Sequence, residues 1–144
     1  MSRRRKKIEY IKLEGNGELV VRTTDNMQKL LEKTTPFIHR MFNIIEDDPR
    51  ICLISISEGY HYEQLTTICQ LPGFLKKEIV NGPFIITKQG IDKNHYLSLT
   101  DSEKYLLISS FTKARFTNGK IVCELDTSLL PFCRQEKVIG LLLY

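Results

Sequence analysis

Residues 8–23, which read IEYIKLEGNGELVVRT, decide the fold more than any other stretch. Two runs rich in isoleucine, leucine and valine flank the turn Gly15-Asn16-Gly17. Asn-Gly between apolar runs is a strong hairpin signal, because both residues tolerate a positive φ. β-Branched and aromatic side chains also favour extended backbone on either side. We therefore predict two antiparallel strands, over 8–13 and 18–23, joined by a tight turn.

The next segment carries a helical pattern that a proline interrupts. Apolar residues recur at spacings of three and four between Met27 and Ile45, which is typical of one face of an amphipathic helix. Pro36 removes a backbone donor and clashes with the preceding turn. The pattern therefore predicts a kinked helix or two helices, over about 25–34 and 36–46. Thr24 or Asp25 is the expected N-cap, and a buried strand is expected over 51–57.

The segment 51–100 is compatible with a winged helix-turn-helix. Residues 62–70 and 74–80 are interpreted as two short helices around the turn Leu71-Pro72-Gly73. Strands over 84–88 and 95–100 then form the wing. In this interpretation a short cationic helix and a cationic loop both face a nucleic-acid backbone. The alternative is a generic α+β domain whose lysines lie on its outside.

The last third of the chain contains one clear hairpin. Asn118-Gly119 joins predicted strands over 114–117 and 120–125. Thr100 and Glu103 have the spacing of a capping box, yet 105–111 also suits a strand, so that segment stays open. A final strand is expected over 138–144. The predicted fold class is α+β: antiparallel hairpins with two to four helices, a flexible basic arm over 1–7 and a single domain over 8–144.

Composition and charge agree with one domain. The chain has 144 residues, of which 42% are hydrophobic and 26% are charged, as in ordinary globular proteins. The net charge is +4, but it is unevenly distributed. Residues 1–12 carry six Lys or Arg and one Glu, whereas the other 132 residues carry 15 basic and 16 acidic side chains. The basicity therefore belongs to the N-terminal arm.

The cysteines indicate a reducing environment. Cys52, Cys69 and Cys123 lie in apolar contexts, and together with Cys133 they show no metal-ligand spacing. We expect reduced, largely buried thiols rather than a disulfide or a zinc site, and we expect no cofactor. The basic N-terminus is not followed by the apolar segment of a signal peptide, and no apolar run is long enough for a membrane helix. These features predict an intracellular protein of the cytoplasm or nucleus, with no membrane partner.

The consecutive cations of the arm are the most specific functional feature. Such a run stays solvated unless an anion organises it, and phosphates are the commonest suitable anions. The alternatives are a targeting signal or no role. The candidate nucleic-acid-binding residues combine the arm with the cations of the second half of the chain: Arg3, Arg4, Arg5, Lys6, Lys7, Lys76, Lys77, Lys88, Lys93, Lys113 and Arg115.

The sequence contains none of the common catalytic or nucleotide-binding motifs. His39, His61 and His95 are scattered, and no P-loop or nucleophile elbow occurs. Phe116 alternates with Lys113 and Arg115, and we interpret it as a core residue rather than a platform for stacking bases. The expected function is non-enzymatic binding of DNA or RNA, as in a transcription regulator or a nucleoprotein assembly. The alternative is a protein–protein adaptor or assembly subunit with a basic targeting arm. The partners to consider beside nucleic acid are another protein or a second copy of the chain, paired through an edge strand.

Overall fold

The computed structural model describes residues 7–34, 41–45, 50–56, 64–71, 75–90, 95–112, 114–127 and 130. Within this part of the chain the fold is predominantly β, with ten strands and two helices. The elements are β1 (Ile8–Leu13), β2 (Leu19–Thr24), α1 (Met27–Thr34), β3 (Met41–Ile45), β4 (Arg50–Ser55), β5 (Leu65–Gln70), β6 (Glu78–Asn81), β7 (Phe84–Gln89), β8 (Tyr96–Leu97), α2 (Asp101–Ser109), β9 (Arg115–Thr117) and β10 (Lys120–Asp126).

The first hairpin is confirmed and forms one edge of a larger antiparallel sheet. β1 and β2 pair from Leu13 opposite Leu19 to Ile8 opposite Thr24. Gly17 adopts a φ of 85°, which glycine reaches without the steric cost of a side chain. The strand order in this first sheet is β2-β1-β7-β4-β3, and β8 pairs with the end of β7.

The two central strands of the first sheet are buried on both faces. Ile51 and Leu53 of β4 face one core, whereas Cys52 and Ile54 face another. β7 alternates in the same way, and strands buried on both faces read as continuous apolar runs. Helix α1 covers one face of this sheet, and its apolar side packs against the core that contains Cys52 and Ile54. The packed residues there are Met27, Leu30, Leu31, Tyr10, Cys52, Ile54, Ile56 and Ile85.

A second sheet and helix α2 contribute to the core on the other face. Its strand order is β6-β5-β10-β9, with β5 and β10 parallel and the other pairs antiparallel. The inward residues of the two sheets form one apolar core, which includes Leu13, Leu53, Phe84, Ile86, Leu65, Cys69, Val80, Cys123 and Leu125. Phe111, which follows α2, stacks on Phe84 with ring centroids 5.8 Å apart.

The segment that the sequence left open between helix and strand is a helix. Thr100 caps α2, since its hydroxyl accepts from the N–H of Glu103 at 3.1 Å. The Glu103 carboxylate accepts from the N–H of Thr100 at 2.8 Å, which completes the capping box. Leu107 is the residue that α2 buries fully. The predicted hairpin around Asn118-Gly119 is also confirmed, with φ of 52° and 75° at those two residues.

The winged-helix interpretation of 51–100 is wrong, because both of its predicted helices contain strands. Within 62–70 the structure has β5, whose buried residues Leu65, Thr67 and Cys69 alternate with half-buried ones. That period of two belongs to a strand, although Leu65 and Ile68 also fit a helical spacing in so short a run. Within 74–80 the structure has β6, which pairs with β5. The predicted wing does form a pair, but its second strand is only Tyr96–Leu97.

One helix of the predicted 25–46 pair is correct. α1 begins at Met27, and the Asn26 side chain accepts from the N–H of Lys29 at 3.0 Å, so the cap is Asn26 rather than Thr24 or Asp25. Within 36–46 the structure has strand β3 instead of a second helix, paired with β4. The predicted strand over 138–144 lies outside the described residues. Neither described helix is long and apolar enough to cross a membrane.

Candidate nucleic-acid interface

The N-terminal arm enters the fold at Lys7. This residue is exposed and directly precedes β1, whereas Arg3, Arg4, Arg5 and Lys6 lie outside the described residues. Lys7 lines an open cleft of about 500 Å³ between the start of α1 and strand β8.

The cleft has polar walls of mixed charge. Residues 25–28 form one wall and residues 95–98 form the other. The first turn of α1 presents backbone N–H groups that carry partial positive charge, and His95 is exposed at the opposite side. The carboxylate of Asp25 adds a negative charge at the same place. Lys7 and His95 thus line this cleft together with the carboxylate of Asp25.

Lys88 differs from the other candidate cations because it is committed to an ion pair. Its ammonium lies 3.1 Å from the Glu103 carboxylate, and the two side chains are only 14% and 19% exposed. Partial burial acts to raise the pKa of Glu103, but the N–H of Thr100 and the ammonium of Lys88 outweigh it and hold that pKa below its usual value. Lys88 therefore ties β7 to the start of α2.

Other cations of the folded body are paired in the same way. Lys104 lies 2.8 Å from Glu9 and 3.0 Å from Asp101, and the bonds to these two carboxylates raise its pKa. Lys12 and Arg22 both bind Glu14. Within the described part of the body, Lys12, Arg22, Lys88 and Lys104 are thus neutralised locally, which the sequence count of charges could not show.

Lys76 and Lys77 are exposed in the segment before β6. Lys77 lines a second cleft, of about 290 Å³, against the end of α2 and the outer face of the second sheet. Glu124 lines the same cleft, and the Arg115 guanidinium lies 4.0 Å from the Glu124 carboxylate. Lys77 therefore shares a cleft with the carboxylate that Arg115 approaches, and this cleft has no lining residue in common with the cleft that Lys7 lines. Lys93 and Lys113 lie outside the described residues.

Phe116 is exposed, so the expectation that it belongs to the core is wrong. Its side chain is 79% exposed on β9, a strand of three residues at the edge of the second sheet. It lies opposite Ile121, but the sheet ends there and no described element packs over the ring. The alternation of residues predicts the correct face of the strand for Phe116. It could not predict that no described element packs against that face at the edge of the sheet.

The described cysteines are buried, as the sequence predicts. Cys52, Cys69 and Cys123 are free thiols. Burial raises the pKa of Cys52 to about 11 and also raises the pKa of Cys123, so both favour the protonated form at neutral pH. Among the described residues, no cluster of His, Cys, Asp or Glu has the grouping of a metal site. Cys133, His39 and His61 lie outside that part of the chain.

The residues that sequence reasoning missed are the partners of the cations. The capping-box spacing indicates Glu103 as a helix-start residue, but no sequence pattern indicates that Glu9 or Glu103 binds a lysine. Asn26 and His95 of the first cleft carry no sequence signal of their own. In comparisons with known proteins, no family model matches the chain, and neither a curated protein nor a solved structure matches it significantly.

Proposed function

We propose that the protein binds nucleic acid without catalysing a reaction, and that the N-terminal arm is the main contact. The observation that carries this proposal is the contrast between the arm and the body. The arm holds five consecutive cations, the last of which is exposed Lys7, whereas Lys12, Arg22, Lys88 and Lys104 of the body are bound by carboxylates. A role in transcription or in a nucleoprotein assembly is consistent with such binding.

Phosphate contacts explain why the arm would be sufficient for binding. Each Lys or Arg that neutralises a phosphate releases counterions, which gives affinity that depends on salt and little on sequence. Lys76, Lys77 and Arg115 are the exposed candidate cations of the second sheet, and they would add a second, weaker contact. Lys88 would stabilise the fold rather than contact a phosphate, since Glu103 already neutralises it.

Fluorescence anisotropy with single- and double-stranded oligonucleotides over a range of salt concentrations tests the proposal. Replacing residues 3–7 by serine should weaken binding and flatten the plot of log K against log salt. Five lost phosphate contacts would change the slope by up to about 4.5 for duplex DNA. The matched control replaces Lys76 and Lys77 by serine, with an expected change of slope below about 2. The proposal would be overturned if the oligonucleotide affinity did not depend on salt concentration, or if replacing the arm left that affinity unchanged.

A protein–protein adaptor is the second candidate, and the exposed apolar side chains favour it. Leu75 and Ile79 are exposed beside one edge of the second sheet, and Phe116 is exposed on the opposite edge strand. In that function the arm would be a targeting signal rather than a contact to nucleic acid. The same titration separates the two candidates, because an adaptor would show no oligonucleotide affinity at low salt, while replacement of the arm would alter only its location in the cell.

A further inference from the structure

The outer edge of β2 differs from the other edges of the two described sheets. Four described strands lie at the edges of the two sheets: β2, β3, β6 and β9. β3 carries a register shift between Asn43 and Ile45, and β6 and β9 have only four and three residues. Short strands and irregular pairing are common ways to block unwanted strand addition. β2 has six residues and unbroken pairing with β1, so it has neither protection.

The register of the first hairpin shows which backbone groups of β2 point outward. The N–H of Glu14 donates to the carbonyl of Glu18, so these two residues form a hydrogen-bonded pair. Hydrogen-bonded and non-hydrogen-bonded pairs alternate along an antiparallel ladder. Residues 20, 22 and 24 therefore bond to β1, whereas the N–H and C=O groups of Leu19, Val21 and Thr23 point away from it. No described strand pairs with that side of β2.

We infer that β2 is a homodimer interface, in which two copies pair antiparallel across a two-fold axis at Val20. Leu19 and Val21 of one copy then face Val21 and Leu19 of the other, and each pair exchanges both backbone hydrogen bonds. This pairing joins the first sheets of two molecules into one continuous sheet. It also covers Val21, whose side chain is 44% exposed in the single chain.

Charge selects this register over its neighbours. With the axis at Val20, Glu18 of each copy lies directly opposite Arg22 of the other, which gives two attractive pairs. With the axis moved to Arg22, the two guanidinium groups would face each other and repel. With the axis at Val21, Arg22 would face Val20 of the other copy, and neither Arg22 nor Glu18 would face an opposite charge across the interface. Arg22 also binds Glu14 of its own chain, but a guanidinium has five donors and can bind two carboxylates at once.

A pair of charge-reversal variants tests the interface and its register together. In Glu18→Arg the two cross-strand pairs become Arg–Arg, and in Arg22→Glu they become Glu–Glu. Each variant alone should dimerise at least about tenfold more weakly than the unaltered chain, whereas an equimolar mixture should regain the dimer. Light scattering after size exclusion, over a concentration series, measures the association. Circular dichroism at each concentration confirms that the variants stay folded.

Cross-linking tests the position of the axis. Val20→Cys places two thiols on the axis, at the short separation of a non-hydrogen-bonded pair, and should form a covalent dimer under mild oxidation. Val21→Cys and Ile79→Cys are matched controls, the second on an exposed residue of another edge, and both should stay mainly monomeric on denaturing gels. The inference is overturned if the unaltered chain is a monomer at all concentrations, if the mixed variants do not associate, or if either control cross-links more readily than Val20→Cys.

Discussion

Replacing Lys88 by methionine separates a structural cation from a nucleic-acid contact. The change keeps the aliphatic stem of the side chain and removes the ammonium that lies 3.1 Å from Glu103. At that separation and an effective dielectric constant of about 20, the attraction is about 5 kcal/mol, most of which offsets the desolvation of the two groups. The net loss of unfolding free energy should be about 1–2 kcal/mol, because the pair is partly buried and hydrogen bonded.

Urea denaturation at pH 7 measures this loss. A change of 1–2 kcal/mol should lower the unfolding midpoint by about 0.5–1 M. Oligonucleotide affinity of the folded variant should stay within about twofold of the unaltered chain, since Glu103 already neutralises Lys88. Lys76→Met is the matched control: this lysine is exposed, so its replacement should change stability by less than about 0.5 kcal/mol.

The pH dependence of the stability difference between the unaltered chain and Lys88→Met gives a second check of the ion pair. The pKa of Glu103 is lowered in the folded chain, so its stabilising contribution is full above the unfolded pKa and is lost as the pH falls through the folded pKa. The stabilities of the unaltered chain and Lys88→Met should therefore begin to converge as the pH falls below the unfolded glutamate pKa of about 4.3. If Lys88→Met unfolds at the unaltered urea midpoint but binds oligonucleotides as weakly as the arm variant, the assignment of Lys88 to the fold is refuted.

Three further variants or treatments probe the fold. Thr100→Ala removes the cap of α2 and should cost about 1 kcal/mol in urea denaturation, whereas Thr100→Ser should retain most of it; equal loss in both would contradict the capping role. Gly17→Ala places a Cβ 2.7 Å from the Ile121 side chain at a φ of 85°, so it should destabilise the fold by more than about 1 kcal/mol in the same assay. Gly15→Ala, whose Cβ meets no atom within 4 Å, is the control and should have less effect. Cys52 has a pKa of about 11, so it should resist a thiol reagent at pH 8 until urea unfolds the chain; rapid labelling of Cys52 in the folded chain, mapped by mass spectrometry, would contradict its burial.

The features that the sequence predicts well are decided by neighbours in the chain. The two Asn-Gly hairpins and the capping box of Thr100 and Glu103 depend on a few consecutive residues, and all three occur. β5 and β6 were predicted as helices because their apolar residues fit two periods in a short run. What decides β5 is its parallel partner β10, where Leu65 lies opposite Ile121. A partner so distant in sequence leaves no local signal.

The candidate site likewise has one part that neighbours in the chain decide and another that tertiary packing decides. The arm is visible in sequence because its cations are consecutive, and consecutive like charges cannot neutralise one another. The pairing of Lys88 with Glu103 and of Lys104 with Glu9 follows from the packing of α2 on the first sheet. Glu9 and Lys104 are 95 residues apart, so a sequence cannot show that one neutralises the other.

The ion pairs of the body also limit what any polyanion could bind. A phosphate that approaches Lys88 or Lys104 must compete with a carboxylate already within 3.1 Å, and breaking the pair would leave that carboxylate partly buried and uncompensated. A phosphate that approaches the arm meets cations that no neighbour in sequence neutralises. If the protein binds nucleic acid as we propose, the arm should therefore contribute more binding free energy than the surface over α2. In the proposed function, sequence-independent affinity should follow the arm's charge, and the cleft that Lys7 and His95 line is the described feature where bases beside the arm would be contacted.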